Sequence, residues 1–218
     1  EVLVVDYLLT PNTPPVTYFL KSFSPDIVGI STYTAMVSKV FRFIDLIYDY
    51  NQKIPIIVGG PHATLYPEGF LNDGRVSYIV RGESEERIGE IINSAIPENF
   101  PKVIDCPPID IKKLPFPDFR CFYDFKKIQD YPLVTTRGCP YECSFCMVKF
   151  ISSRKYRCKE ISTCCNEIMN AQTALPQLKA VSIIDDNCSV LKEHFRNFLL
   201  DYIERIDLPL GFAYIRAD

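Results

Sequence analysis

The sequence lacks the features of a membrane protein and of a nucleic-acid-binding protein. Its longest apolar runs, such as residues 54–60, are far too short to span a bilayer. Its net charge is −3, so it has no basic excess of the kind that marks nucleic-acid-binding domains. No secretory segment is recognisable, and Glu1 already lies in a stretch that predicts a strand, so we expect a fragment whose front is missing. Together these absences predict a cytoplasmic protein with no membrane span and no nucleic-acid partner.

Histidine is also scarce, whereas cysteine is abundant. The chain has only two histidines, His62 and His194, but nine cysteines in 218 residues. Many cysteines in a secreted protein would indicate disulfides. In a chain with ordinary globular patterning and 47% apolar residues, they favour free or metal-bound thiols in a reducing compartment.

The first hundred residues predict a doubly wound, Rossmann-like α/β domain, residues 1–100. Strands that are apolar throughout and are separated by helices predict a parallel sheet covered on both faces. Apolar side chains at helical spacing, such as Val40, Ile44 and Ile47, identify the helices. The predicted strands are residues 2–5, 26–31, 54–60 and 77–81, and the predicted helices are 38–50 and 85–95.

A proline-rich connector, residues 101–130, is predicted to lead into a second α/β domain, residues 131–218. Seven prolines fall between residues 97 and 132, and the aromatic residues among them indicate that the connector packs on a neighbour. The second domain predicts a βαβαβ pattern, the first three strands of an incomplete (β/α) barrel. Its predicted strands are residues 131–136, 178–184 and 208–216, and its predicted helices are 159–174 and 191–206.

The strongest functional signal is the cysteine loop, residues 137–150, with the spacing C-x3-C-x2-C at Cys139, Cys143 and Cys146. About 0.015 such matches are expected by chance at this cysteine content. Soft thiolates suit iron–sulfur clusters, which normally take four of them. Three in one loop can each reach a different iron and leave the fourth iron open to an external ligand. Gly138 and Pro140 shape the loop.

Two other metal sites remain open from the residues alone. A zinc ion would need a fourth ligand, for which Cys158 is available. A four-cysteine electron-transfer cluster could recruit Cys158, Cys164, Cys165 or Cys188. Cys164 and Cys165 lie on the apolar stripe of a predicted helix, so we expect them to behave as small apolar residues.

Two acidic residues, Asp185 and Asp186, follow the next predicted strand. Side chains at the carboxyl ends of parallel strands point into the sites of such folds, so we expect one of them to contribute to the same site. The alternative is a structural role at the start of the following helix, with Asn187 as its N-cap.

The cysteine loop resembles the cluster motif of the radical S-adenosylmethionine (SAM) superfamily, including the aromatic Phe145 before the third cysteine. The resemblance implies that the open iron chelates SAM and that the reduced cluster cleaves it to a 5′-deoxyadenosyl radical. It implies that Phe145 lies near the adenine and that Asp185 or Asp186 receives the amino group of SAM. Arg216, near the end of the chain, resembles an arginine of these relatives.

The first hundred residues resemble the cobalamin-binding domain that precedes the radical domain in one class of these enzymes. The matching stretches are DIVGIST, IPIIVGGPHAT and YIVRGESE, which begin at residues 26, 54 and 78. Each ends a strand in polar or glycine-rich residues, where the backbone can approach a bulky ligand. The resemblance implies that five residues line the corrinoid: Ser31, Thr32, Gly59, Gly60 and Gly82.

The chain departs from the pattern of some cobalamin domains, which bind cobalt through the histidine of a D-x-H-x-x-G motif. Neither His62 nor His194 lies in that motif, so we expect cobalamin without a histidine ligand. His62 could approach the corrin or cap the next helix, and we expect the cap. The alternative to a cobalamin-binding domain is a degenerate doubly wound domain that has lost the cofactor.

The resemblance implies a cobalamin-dependent radical SAM enzyme that transfers a methyl group to an unactivated carbon or to phosphorus. A 4Fe–4S cluster, SAM and cobalamin would be its cofactors. Its partners would be a small-molecule substrate and a reductant such as flavodoxin or ferredoxin. The alternatives are a cobalamin-dependent radical rearrangement or cyclisation, and a truncated, non-catalytic iron–sulfur or corrinoid-binding protein.

Overall fold

The computed structural model describes residues 1–8, 12–94, 101–212 and 214–216. The chain divides into two compact units. We call Pro14–Ile109 the N-terminal unit. The cysteine-loop unit comprises Glu1–Thr13 together with Asp110–Asp218.

The N-terminal unit is built on a four-stranded parallel sheet in the order β1-β2-β3-β4. The strands are β1 Val28–Ser31, β2 Ile56–Gly59, β3 Tyr78–Gly82 and β4 Lys102–Cys106. The helices are α1 Val16–Phe23, α2 Val37–Tyr50, α3 Gly60–Leu65, α4 Glu68–Leu71 and α5 Ile88–Asn93, and a 3₁₀ turn covers Thr34–Met36.

Both faces of this sheet are covered, as the apolar strands predict. Successive side chains of a strand point to opposite faces, and the core divides accordingly. Ile56 and Val58 pack in one cluster with residues of α1 and α2, whereas Ile57 packs in a second cluster with Ile91 of α5. The α/β class and the parallel sheet predicted from the sequence are confirmed.

Two expectations about this part of the chain differ from the structure. The predicted strand at residues 2–5 is wrong: Val4 makes only an isolated bridge to Phe122, and Val2 is 69% exposed. Conversely, β4 was not predicted, because it follows Pro101 within the proline-rich stretch. Only its residues Ile104 and Cys106 are buried, so its apolar signal is weak.

The cysteine-loop unit has a three-stranded parallel sheet in the order β5-β8-β9 and a short antiparallel pair, β6-β7. The strands are β5 Asp130–Leu133, β6 Thr136–Arg137, β7 Arg157–Cys158, β8 Ala180–Ile183 and β9 Leu210–Phe212. The helices are α6 Val148–Ile151, α7 Ile161–Ala174 and α8 Lys192–Arg205. The 3₁₀ turns are Ile111–Lys113, Phe119–Cys121 and Phe125–Lys127.

The predicted βαβαβ order is present as β5, α7, β8, α8 and β9. The predicted strand 131–136 is divided, because β5 ends at Leu133 and β6 pairs with β7 instead of with the parallel sheet. Connector aromatics, Phe119, Phe122 and Phe125, pack against the core, as expected. The predicted helix 85–95 and strand 208–216 include residues 95 and 213, which lie outside the described residues.

No helix in the described ranges combines the length and the apolar character needed to cross a membrane.

Candidate functional site

The β6-β7 pair closes the longer segment, up to residue 158, that contains the cysteine loop. Thr136 pairs with Cys158 and Arg137 with Arg157, so the chain leaves and returns at the same point. Between these strands Cys139, Cys143 and Cys146 are free and partly exposed thiols. The amide of Cys146 donates to the carbonyl of Cys143 over 3.0 Å, which makes a tight turn around the last two cysteines.

Gly138 fixes the entry into this loop. Its φ is +88°, in the left-handed region where residues with a Cβ are strained. A Cβ at this position would also collide with the carbonyl oxygen of Lys155, on the returning side of the loop. Only glycine therefore allows the two sides of the loop to approach this closely immediately before Cys139.

The three thiols fit an iron–sulfur cluster by the chemistry of their donor set, since soft thiolates are the ligands of such clusters. Among the described residues, no three His, Cys, Asp or Glu side chains form a group that could hold a single metal ion. A cluster makes a different geometric demand, because each cysteine binds a different iron. The assignment of Cys139, Cys143 and Cys146 to a cluster stays a prediction.

The cysteine loop also carries exposed aromatic side chains, and one arginine contacts the loop. Phe145 is 90% exposed, so its ring is accessible at the surface of the loop. The guanidinium of Arg216 lies 4.0 Å from the ring centroid of Tyr141, and its Nη1 lies 3.7 Å from Cys143 Sγ. An arginine on an aromatic face is a cation–π contact. The position of Phe145 near an adenine stays a prediction.

Asp185 is buried and accepts three hydrogen bonds at the end of β8. Its Oδ1 accepts from the amide of Thr135 over 2.7 Å, and its Oδ2 accepts from the hydroxyls of Thr135 and Thr136 over 2.5 and 2.7 Å. Burial raises the pKa of this carboxyl, and the hydrogen bonds partly oppose the shift. The carboxylate is thus turned toward the backbone that leads into the cysteine loop.

Asp186 points to the same segment from the next position. Its Oδ2 accepts a hydrogen bond from the amide of Gly138 over 2.9 Å. Asn187 does not cap α8, whose N-cap is Leu191; it accepts instead from the amide and hydroxyl of Ser189. The role of Asp185 or Asp186 in receiving the amino group of SAM stays a prediction, and their contact with the loop was not foreseen.

The expectation that Cys164 and Cys165 are core residues is confirmed. Both are fully buried on the inner face of α7. Burial is the main cause that raises the pKa of each thiol to about 12. Thiols with such pKa values stay protonated at neutral pH and are poor metal ligands. Cys188 is buried as well, and burial raises its pKa to about 11.

The carboxyl edge of the N-terminal sheet brings together the residues predicted to line a corrinoid. Ser31, Gly59 and Gly82 are the last residues of three adjacent strands. The buried Thr32 hydroxyl donates to the carbonyl of Gly59 over 2.6 Å and accepts from the amide of Ala63 over 3.1 Å. Its hydroxyl is therefore engaged in joining β2 and α3, and Ser31 is the exposed hydroxyl at this edge.

The glycines at this edge are required by the fold. Gly60 and Gly82 have φ of +88° and +84°. A Cβ on Gly60 would lie 2.8 Å from the Ser31 hydroxyl, and one on Gly82 would collide with the carbonyl oxygen of Cys106. Their lack of a side chain thus serves the packing of neighbouring backbone, a reason that the sequence did not reveal. Whether they also line a corrinoid stays a prediction.

His62 lies in the first turn of α3 and its Nδ1 is 3.0 Å from the Thr34 hydroxyl. The expectation that it caps a helix is wrong, because α3 begins at Gly60 with no side-chain cap. The contact instead joins α3 to the 3₁₀ turn that follows β1.

Comparison with known proteins agrees with this description. Residues 2–92 match the family described as the B12 binding domain. The chain is 24% identical over 216 residues to an uncharacterised methyltransferase of Pyrococcus horikoshii. The alignment covers 88% of this chain and 47% of the relative. The chain is 25% identical over 176 residues to the anaerobic magnesium-protoporphyrin IX monomethyl ester cyclase of Rubrivivax gelatinosus, covering 68% and 31%.

A solved structure has the same fold. The radical SAM methyltransferase TsrM of Kitasatospora setae, solved with cobalamin and a [4Fe–4S] cluster bound, superimposes with a TM-score of 0.61. The match covers 87% of this chain and 43% of that one, at 17% identity. The chain thus spans less than half the length of each of these proteins.

The chain combines a parallel α/β unit with a βαβαβ unit that carries a three-cysteine loop. It resembles B12-binding radical SAM enzymes, as its sequence indicates, and residues 2–92 match the B12 binding domain.

Proposed function

We propose that this chain carries the cofactor-binding part of a cobalamin-dependent radical SAM methyltransferase. The observation that carries the proposal is the cysteine loop, which leaves the parallel sheet next to the carboxyl end of β5 and follows residues that match the B12 binding domain. Active sites of parallel α/β folds form at this end of the strands. The methyltransferase names of similar proteins support the reaction class.

Cys139, Cys143 and Cys146 would hold the cluster. When bound, a 4Fe–4S cluster with three cysteine ligands supplies an open iron and an electron for the reductive cleavage of SAM, and cobalamin supplies a methyl carrier. Gly138 lets the backbone at Lys155 approach the chain directly before the first ligand. The exposed ring of Phe145 offers a surface on which an adenine can stack.

The edge formed by Ser31, Thr32, Gly59, Gly60 and Gly82 would hold the corrinoid. No described side chain at this edge matches the D-x-H-x-x-G histidine, and the Nδ1 of His62 is engaged with Thr34. Cobalamin would therefore be held without a histidine ligand to its cobalt. The methyl acceptor would be an unactivated carbon or a phosphorus atom of a small molecule, and a flavodoxin or ferredoxin would supply the electron.

A cobalamin-dependent radical cyclisation is the second candidate. The similarity to the magnesium-protoporphyrin IX monomethyl ester cyclase favours it, because that protein is named for ring closure and not for methyl transfer. Isotope labelling distinguishes the two reactions, because SAM with a labelled methyl group gives a labelled product only in methyl transfer.

The test of the proposal is reductive cleavage of SAM by the anaerobically reconstituted chain. We expect 5′-deoxyadenosine to form with dithionite as reductant and to fall to background in Cys143→Ala. Cys121→Ala is the matched control, since Cys121 is a free cysteine outside the loop whose thiol donates to the carbonyl of Asp118. Absence of 5′-deoxyadenosine from the wild-type chain, with its cluster present, would contradict the proposal.

A further inference from the structure

Two adjacent aspartates at the end of β8 hold the backbone that leads into the cysteine loop. Asp185 accepts from the amide and hydroxyl of Thr135 and from the hydroxyl of Thr136. Asp186 accepts from the amide of Gly138, directly before Cys139. The strand end therefore contacts three of the four residues from 135 to 138.

The Asp185 contacts occupy both of its carboxylate oxygens. Asp185 is 2% exposed, and Thr135 and Thr136 are buried beside it. An ionised carboxylate buried in this way needs hydrogen-bond donors to offset its lost hydration, and these three donors supply them. The carboxylate is committed to the backbone of residues 135 and 136.

Asp186 and the returning side of the loop restrain the Gly138 peptide from two directions. The Gly138 amide donates to Asp186, while its Cα faces the carbonyl of Lys155 with no room for a Cβ. The left-handed φ of Gly138 sets the direction in which the chain continues toward Cys139. A fixed direction at this peptide limits the positions that the thiol of Cys139, the next residue, can reach.

We propose that Asp185 and Asp186 are positioning residues that orient the start of the cysteine loop through these hydrogen bonds. Such partners of ligand-bearing segments contribute to metal affinity without touching the metal. The effect on cluster binding rests on the proposed function, whereas the effect on the orientation of the loop is independent of it. If Asp186 orients the loop, it needs an oxygen that accepts the hydrogen bond of the Gly138 amide, but it does not need a negative charge. A role in receiving the ammonium of SAM would need the charge.

Asp186→Asn and Asp186→Ala separate these requirements. Asparagine keeps an oxygen that accepts from the Gly138 amide, and alanine does not. The matched control is Asp201→Ala, which removes a carboxylate that pairs with Arg205 within α8. Hydrogen–deuterium exchange of the metal-free chain is read on a peptide that covers residues 135–146, and iron and sulfide content is then measured after anaerobic reconstitution.

We expect Asp186→Ala to speed exchange of the Gly138 amide on the order of tenfold, as loss of one hydrogen bond implies. We also expect its iron and sulfide content after reconstitution to fall below that of the wild type, because partners of ligand-bearing segments contribute to metal affinity. Asp186→Asn and Asp201→Ala should match the wild type in both measurements. Exchange in Asp186→Ala equal to that of the wild type, or Asp186→Asn behaving as Asp186→Ala, would overturn the inference.

A second pair of variants covers the case in which Asp186→Ala does not fold. Thr136→Ser keeps the hydroxyl that donates to Asp185, and Thr136→Val removes it. Faster exchange in the valine variant alone supports the inference, and equal exchange in both overturns it. If the wild-type chain takes up no cluster, the proposed function fails, and the exchange data still decide the orientation of the loop.

Discussion

Gly82 is a residue whose identity is dictated by its neighbours. Its φ is +84°, and a Cβ would meet the carbonyl of Cys106 on the adjacent strand. Gly74 in the same unit has open space where its Cβ would stand. The two glycines therefore separate the cost of strain from the general effect of replacing glycine with alanine.

We predict that Gly82→Ala lowers the free energy of unfolding by at least about 1–2 kcal/mol, the cost of a left-handed conformation for a residue with a Cβ. Gly74→Ala should stay close to the wild type. Urea unfolding of both variants, followed by circular dichroism, checks this. Equal stability of the two variants would show that β3 and β4 can separate at this point without cost.

His194 adds a pH dependence to stability. Burial lowers the pKa of its imidazole below the ordinary value of 6.5, and among the described residues its Nε2 has no hydrogen-bond partner. At pH values between the lowered pKa and 6.5, this imidazole is more protonated in the unfolded chain than in the folded chain. Acid in this range therefore favours the unfolded chain. Stability from this group is thus complete above pH 6.5 and is lost as pH falls toward the folded pKa.

We predict that His194→Phe reduces the loss of stability between pH 7 and pH 5. The measurement is the urea midpoint at several pH values for wild type and variant. Parallel curves would indicate that His194 titrates alike in the folded and unfolded chain.

Among the helices and strands, the sequence predicts the ones whose apolar periodicity extends over most of the element. β8 and α7 were placed within a few residues, because apolar runs and helical spacing extend over the whole element. The two-residue strands β6 and β7 have no period to detect. β4 lies among prolines with only two inward side chains, and Val4 is apolar without a strand neighbour to pair with.

The candidate site divides in the same way. The cysteine spacing could be read from the sequence, because a motif of local spacing needs no knowledge of the fold. The contacts of Asp185 with Thr135 and Thr136 join residues about 50 positions apart. Nothing in the chain's local pattern specifies such a pairing, since it depends on the register of β5 with β8.

A buried ion pair in the cysteine-loop unit links the segment between β7 and α7 to α7, and a tyrosine of β5 joins it. Lys159 Nζ lies 2.6 Å from Glu167 Oε2 on α7, and the hydroxyl of Tyr131 on β5 donates to the other oxygen of Glu167 over 3.0 Å. Both charged side chains are buried. Removing one partner leaves an uncompensated charge in the interior.

We predict that Glu167→Ala lowers the free energy of unfolding by roughly 3–5 kcal/mol. Glu160→Ala, which breaks an exposed pair with Lys112, should change stability little. Chemical denaturation of the two variants makes the comparison. A small effect in Glu167→Ala would mean that water reaches Lys159.

The carboxyl edge of the N-terminal sheet is where the corrinoid is proposed to bind. We predict that Ser31→Phe weakens binding of hydroxocobalamin, because Ser31 is exposed at the end of β1 where the corrinoid is proposed. Gln52→Phe is the control, an equally bulky change in the turn before β2, at the opposite edge. Titration followed by absorbance measures both. Equal weakening, or none in either variant, would place the corrinoid elsewhere.

For the molecule as a whole, one chain combines two parallel α/β units, each with candidate ligand residues at the carboxyl end of its strands. The chain spans less than half the length of the similar proteins, so the substrate of the whole protein is not defined by it. Its own contribution to the proposed function would be two segments, one for the cluster and one for the corrinoid. Every step of the proposed chemistry depends on one property, an iron that the three cysteines would leave open to SAM.

Electron paramagnetic resonance of the reduced, reconstituted chain, with and without SAM, tests this property most directly. We predict the signal of a single 4Fe–4S cluster whose g-values shift when SAM is added, and which is absent from Cys143→Ala but present in Cys121→Ala. A signal that SAM leaves unchanged, or one that survives Cys143→Ala, would contradict the account.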